Sequence, residues 1–193
     1  MTGGDGNGTP EPVGSLQHVA VLRDGAEAVV RDLAADDVDA VVALVDALDD
    51  RERYLRFFTS HPRYVDEWAT SITDPHRDGA TIGAFDHGEL VGVANFVPCT
   101  QAVGVEMSVL VAHDQHDRGV GTILLRDLAS IARKTGHRRL VADVLVENNG
   151  LRRVLVDAGV PVTWHRDGPV YSCEVDLDAV LAIPDVLARP DSV

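Results

Sequence analysis

The chain has little of what membrane, secreted and disulfide-rich proteins require. No apolar run approaches the roughly 20 residues that a transmembrane helix needs. The first residues contain no basic stretch followed by an apolar one, so we expect neither a secretory signal nor a membrane partner. The two cysteines, Cys99 and Cys173, cannot form a disulfide framework and have no metal-ligand spacing. We therefore expect a cytoplasmic protein without a metal site.

Positive charge is also scarce, with 17 Lys and Arg against 31 Asp and Glu and a net charge of −14. Such an acidic chain is a poor nucleic-acid binder, because that affinity depends on neutralising phosphates with basic side chains. Residues 113–153 are the exception, with 8 basic and 5 acidic residues. This basic segment indicates either a local anion site or an ordinary solvated helix.

What remains is the composition of a folded domain, since 45% of the 193 residues are hydrophobic and 25% are charged. Residues 1–15 are rich in Gly, Pro and Thr and lack apolar periodicity, which predicts a disordered leader. We assign residues 16–178 to one domain, and residues 179–193 to a short C-terminal helix or tail.

Apolar periodicity predicts a mixed α/β (α+β) fold. The clearest helix covers residues 119–135, where apolar residues fall on one face and Gly136 provides the stop. Further helices are predicted over residues 36–48, 50–58, 64–72, 149–158 and 178–188. Strands are predicted over residues 18–22, 26–33, 80–85, 90–97, 103–112, 139–146, 160–164 and 170–175.

One motif carries chemistry: residues 109–122, VLVAHDQHDRGVGT, read as a strand, a polar loop with two glycines, and the start of a helix. Around Gly119 and Gly121, successive backbone N–H groups point outward at the positive end of a helix dipole, a nest that suits a diphosphate. Thr122 adds a hydroxyl donor. Taken alone, the motif is equally compatible with a tight turn that binds nothing.

This segment resembles the GNAT superfamily of N-acetyltransferases, and the resemblance extends from about Ala20 to Val175. It implies a GNAT fold, with a mixed central sheet flanked by helices, and an enzyme that takes acetyl-CoA as acyl donor. In the family, the strand backbone holds the pantetheine arm and the loop binds the pyrophosphate. The implied cofactor contacts are Val109, Leu110, Val111, His116, Asp117, Arg118, Gly119, Val120, Gly121, Thr122 and Asn148.

Some positions depart from the family pattern. His116 occupies the slot of a Gln or Arg, and Asp117 stands where many relatives have Gly, so its carboxylate is expected to repel phosphate. Asn148 lies 11 residues before Gly159, as the family spacing requires. Leu155 occupies the slot of the tyrosine that protonates the leaving thiolate in many relatives, so this general acid is absent.

Residues 50–58, DRERYLRFF, resemble a segment of Pat-type protein lysine acetyltransferases, which modify acyl-CoA synthetases. Those proteins also carry a glutamate at the position of Glu106, so the resemblance implies a lysine ε-amine as acceptor and Glu106 as general base. An attacking amine must lose a proton, and a carboxylate beside the thioester suits that role. Because the surrounding strand is apolar, we expect Glu106 to be partly buried.

Alternatives stay open at the acceptor end. His113 and His116 are rival bases, since imidazole titrates near neutral pH. Tyr54 is a candidate wall of the acceptor pocket, and Glu52 belongs to an acidic stretch that suits a lysine or a small cationic amine such as a polyamine or aminoglycoside. His116, Asp117 and the absent tyrosine favour a third possibility, a CoA-binding sensor of the same fold without turnover.

Overall fold

The computed structural model describes residues 16–99 and 104–179. The leader predicted over residues 1–15 lies outside the described residues, as do Val103 and nearly all of the helix predicted over residues 178–188. In the part of the chain that is described, no helix is both long and apolar enough to cross a bilayer.

The described part of the chain forms a sheet of eight strands, which are β1 (Gln17–Val21), β2 (Glu27–Asp32), β3 (Ala80–Asp86), β4 (Glu89–Pro98), β5 (Val105–Val111), β6 (Arg139–Leu145), β7 (Val162–Asp167) and β8 (Val170–Asp176). Their order is β1-β2-β3-β4-β5-β6-β8-β7. Neighbouring strands are antiparallel except for β5 and β6, which are parallel. The predicted mixed fold is therefore confirmed. Strand β7 begins two residues later than predicted, after Pro161, which has no N–H to donate to a ladder.

The helices are α1 (Val38–Asp46), α2 (Asp50–Phe57), α3 (Val65–Thr73), α4 (Val120–Lys134) and α5 (Asn149–Ala158). Helix α1 begins later than predicted, because the preceding residues form a 3₁₀ turn in which the Asp37 carboxylate accepts hydrogen bonds from Arg31. Helix α4 follows Gly119, whose φ of 91° glycine adopts without steric cost.

Each face of the sheet has its own core. On one face, α4 packs its apolar stripe, including Leu124 and Leu128, against β3, β4 and β5, with α5 beside it. On the other face, α1 covers β4 and α3 packs against α1 and β3, and Leu44 packs near Val93 and Leu110. Burying each such side chain contributes about 1.5–3 kcal/mol. Strand β5 thus presents alternate residues to two different layers.

Candidate functional site

Strands β5 and β6 separate soon after they pair. Their parallel register ends at Glu106 and Val141. Beyond this point β5 continues along β4, whereas β6 follows β8, so the two strands diverge. A cleft of about 740 Å³ lies at the divergence, with α2, α5 and the first turn of α4 around it.

The backbone of β5 faces this cleft at alternate residues. The N–H of Ala112 and the C=O of Gly104 both bond to the β4 segment, so even-numbered residues turn their backbone groups toward β4. The N–H groups of Val109 and Val111 therefore point into the gap. Leu110 also lines the cleft, but its N–H faces β4, so the N–H groups that point into the gap are those of its neighbours.

An anion nest closes one end of the cleft. Among the residues that the structure describes, no side chain caps α4, and the first helical bond runs from the Ile123 N–H to the Gly119 carbonyl oxygen at 3.0 Å. The N–H groups of Val120, Gly121 and Thr122 are consequently left without helix partners, and all three residues line the cleft. The positive end of the helix dipole lies at the same place and reinforces the attraction of these N–H groups for an anion, so the nest suits a phosphate group.

Two arginines flank the nest. Arg23 donates its backbone N–H to the Arg118 carbonyl oxygen at 2.9 Å, and its Nη2 lies 2.8 Å from Asp157 Oδ2. Arg153 on α5 donates to Asp117 Oδ1 at 2.8 Å. Both arginines line the cleft. Arg23 was not predicted as a site residue, because its place in a hairpin turn carries no local sign that the turn folds against the nest.

Arg118 has a different position from the one expected. Its guanidinium donates to Asp24 Oδ2 at 2.5 Å and to Asp86 Oδ2 at 2.6 Å, and it also bonds Gln115. The hydrogen bonds to Asp86 and Asp24 raise the pKa of Arg118 above its usual value. Its side chain thus fastens the loop to two hairpins, and Arg118 is not among the residues that line the cleft.

The wall opposite β5 begins at Asn148, which lines the cleft and caps α5, its Oδ1 accepting the Leu151 N–H at 3.0 Å. Leu155 is fully buried in the core of the α4 face. Among the described residues, no tyrosine lines the cleft, so the described wall supplies no phenol to protonate a leaving thiolate.

Glu106 lies at the point of divergence and lines the cleft, but its side chain is exposed. The expected partial burial is therefore wrong. Partial burial was expected from the apolar residues of the strand, but Glu106 lies where the pairing of β5 with β6 ends.

The sequence analysis also missed a charged group beside Glu106. Arg56 of α2 lines the cleft, and its Nη2 donates to Ser108 Oγ at 2.7 Å; that hydroxyl in turn donates to Asn95 Oδ1 at 2.6 Å. The guanidinium lies over Trp68, 5.2 Å from the ring centroid, and its buried Nε has no hydrogen-bond partner within residues 16–99 and 104–179. Burial lowers the pKa of Arg56 to about 10, and the negative charge of Glu106 partly offsets this effect. Because this pKa is well above 7, Arg56 remains a cation at neutral pH.

The two predicted acceptor contacts are placed differently. Glu52 lines the cleft, but its Oε1 lies 2.7 Å from His113 Nδ1 and 3.8 Å from His116 Nε2. Tyr54 is 40% exposed and is not among the residues that line the cleft. Phe58, at the end of α2, is the exposed aromatic residue that does line it.

Comparison with known proteins identifies the family. Residues 43–159 match the acetyltransferase (GNAT) family. The structure resembles the GNAT domain of S. lividans PAT, with a TM-score of 0.73 and 31% identity over 83% of this chain and 96% of that one. It also resembles YncA, a putative acetyltransferase from Salmonella typhimurium solved with acetyl-CoA, with a TM-score of 0.63 and 18% identity over 82% and 98% of the two chains. Acetyltransferase PA5475 from Pseudomonas aeruginosa is 25% identical over 143 residues, 69% of this chain and 75% of that protein. The chain belongs to the GNAT family of acetyltransferases.

Proposed function

We propose that the cleft binds acetyl-CoA in an extended conformation. The observation that carries the proposal is the divergence of β5 and β6, which leaves backbone N–H groups of β5 free above an anion nest. The nest at Gly119–Thr122 receives the pyrophosphate, the N–H groups of Val109 and Val111 hold the pantetheine arm, and the thioester lies toward Glu106. A strand N–H then stabilises the negative charge that develops on the thioester oxygen. The Salmonella protein's acetyl-CoA complex supports this donor.

Glu106 acts as the general base in direct attack by the amine. It stands exposed in the cleft, where it can take a proton from the amine directly or through one water molecule. His113 is a poorer candidate, because its hydrogen bond to Glu52 raises the pKa of His113 and so keeps the imidazole protonated to higher pH. His116 lies on the same side, near the nest.

Arg56 is a positioning residue for this chemistry, acting through Ser108 and through the charge of Glu106. We expect Arg56→Met to lower kcat roughly tenfold, equivalent to about 1.4 kcal/mol in the barrier, while KM for acetyl-CoA stays unchanged. Arg56→Lys should recover part of the rate, because it keeps a positive charge. Steady-state kinetics provide the measurement.

Arg77→Met is the matched control for Arg56→Met. Arg77 is another partly buried arginine whose Nε has no hydrogen-bond partner, but it does not line the cleft. An equal loss of kcat in both variants would mean that the effect is general destabilisation and not positioning.

Asp117 offers a test of the phosphate end. It has a φ of 63°, in the left-handed region that glycine adopts with less strain than aspartate, and its carboxylate is bonded to Arg153. Asp117→Gly removes the strain and the negative charge and frees Arg153. We expect acetyl-CoA to bind roughly fivefold more tightly, about 1 kcal/mol for an exposed charge, and Tm to rise by about 2–4 °C per kcal/mol gained.

Asp117→Asn separates the two effects, because asparagine tolerates the left-handed region but carries no charge. If charge repulsion is the cause, both variants tighten binding equally in titration calorimetry. Weaker binding by Asp117→Asn would show that the carboxylate supports the loop and would refute the repulsion.

As acceptor we propose the ε-amine of a protein lysine. Support comes from residues 50–58, which resemble the Pat-type segment, and from the similarity to the S. lividans PAT domain. The geometry agrees with a protein partner, since Glu106 is exposed and the neighbouring large apolar side chains are also exposed: Phe58 is 47% exposed and Val97, the β4 register partner of Glu106, is 39% exposed. Because acetyl-CoA is a metabolite of the cell interior, we place the reaction in the cytoplasm.

A small cationic amine is the second candidate acceptor. It is favoured by the acidic groups along the cleft, Glu106, Asp143 and Glu147, which would attract a polyamine or an aminoglycoside. A sensor without turnover is the alternative that the buried Leu155 favours, because the cleft then lacks the family's thiolate acid.

Release of CoA thiol from acetyl-CoA distinguishes these possibilities. An acyl-CoA synthetase with reactive lysines should accelerate release far more than a polyamine or an aminoglycoside at equal amine concentration. Preference for the small amines would overturn the lysine proposal, and acetyl-CoA binding without release by any acceptor would favour the sensor.

A further inference from the structure

Three side chains with metal-binding atoms converge beside the cleft. They are Glu52 from the first turn of α2, His113 from the 3₁₀ turn before α4, and His116 directly after that turn. One oxygen or nitrogen atom from each lies within 4.8 Å of the corresponding atoms of the other two. Glu52 Oε1 is 2.7 Å from His113 Nδ1 and 3.8 Å from His116 Nε2. Three potential ligand atoms from two separate elements therefore lie close together.

Local structure holds each group in place. The Asp49 side chain accepts the Glu52 N–H at 2.7 Å, and Glu52 Oε2 accepts the Asp49 N–H at 3.0 Å, which forms a capping box. The other carboxylate oxygen, Oε1, is thereby directed toward the histidines. A 3₁₀ turn repeats every three residues, so His113 and His116 fall on the same side, with ring centroids 5.4 Å apart.

The electrostatic surroundings favour a cation. Glu52 is the nearest negative charge to His113. The carboxylates of Asp49 and Asp114 also favour a positive charge at this position. Two imidazoles and a carboxylate are a donor set that zinc commonly takes from proteins, with the fourth position left to water or another ligand. His113 and His116 are 71% and 50% exposed, so an ion has open access.

We propose that Glu52, His113 and His116 form a binding site for a divalent transition metal of the zinc type. Because Glu52 belongs to α2 and the histidines precede α4, a bound ion ties α2 to the loop that ends in the nest. Metal binding is measured directly, so the test of this site does not require acetyl-transfer activity.

Titration calorimetry with ZnCl₂ on the tag-free chain should show one site of high affinity, and Co²⁺ should give the visible absorption of a tetrahedral complex. The double variant His113→Ala/His116→Ala should weaken Zn²⁺ binding by at least about 100-fold, since even loss of supporting outer contacts costs up to that much. His61→Ala/His76→Ala is the matched control, because it removes two exposed histidines elsewhere.

Glu52→Gln keeps an acceptor for the capping box but loses the carboxylate ligand, so it should weaken Zn²⁺ binding while circular dichroism and Tm remain near those of the wild type. Equal Zn²⁺ affinity in the wild type and the His113→Ala/His116→Ala variant would overturn the proposal, as would an equal loss in the control variant. In those cases, Glu52 and His113 form only a hydrogen-bonded pair.

Discussion

Replacing Glu106 with glutamine is expected to lower kcat by roughly 10²-fold or more, the usual size of a general-base contribution. Glutamine has nearly the same shape but cannot accept the proton of the attacking amine. The side chain faces the acceptor end of the cleft and not the nest, so the affinity for acetyl-CoA should change little. The acidic limb of the pH profile of kcat/KM, which reports the base of the free enzyme, should disappear.

Glu27→Gln is the control, since Glu27 is also an exposed carboxylate on a strand but does not line the cleft. It should leave kcat unchanged. Turnover by Glu106→Gln within about threefold of the wild type would exclude Glu106 as the base. A large loss in His113→Ala would then move that role to the loop.

Acetyl-CoA should raise the Tm of the wild-type protein, and Gly119→Val or Gly121→Val should abolish the rise. At a ligand concentration 100 times Kd, mass action stabilises the folded state by about 2.7 kcal/mol, equivalent to roughly 5–10 °C for a chain of this size. Valine at position 119 must adopt a φ of 91°, and its Cβ would lie 3.3 Å from Arg23 Cγ. The Cβ of valine at position 121 would lie 3.0 Å from Val154 Cγ2 on α5. This close contact would push α5 away from the nest.

Gly136→Val controls for backbone strain alone. Gly136 has a φ of 88°, nearly that of Gly119, and has no atom within 4 Å of an added Cβ. It follows the far end of α4, about 22 Å from the nest at 1.5 Å per residue. The Tm of the Gly136→Val variant should be lower than that of the wild type, but acetyl-CoA should still raise it. Absence of any rise in the wild type at millimolar acetyl-CoA would refute the proposed binding.

Where local physics decides structure, prediction from the sequence succeeded. The apolar stripe of α4 and its flanking glycines specify a helix whatever surrounds it, and the nest at Gly119 and Gly121 depends on the same few residues. The segment around Asp117 and Arg118 was harder, because a charged side chain has many possible partners and the structure selects distant ones, Arg153 and Asp24.

The sequence alone thus determined the elements, the mixed sheet, the family resemblance and the residues of the nest, since each depends on periodicity or on a contiguous motif. Only the tertiary structure decided that β6 leaves β5 beyond Glu106, which opens the cleft and exposes that carboxylate. It also placed Arg56 in the cleft and Tyr54 outside it. The same packing brought Glu52 close to His113 and His116, which follow it in the chain by 61 and 64 residues. Such placements depend on how helices pack across the sheet, and contacts between distant segments leave no periodic signal in the chain.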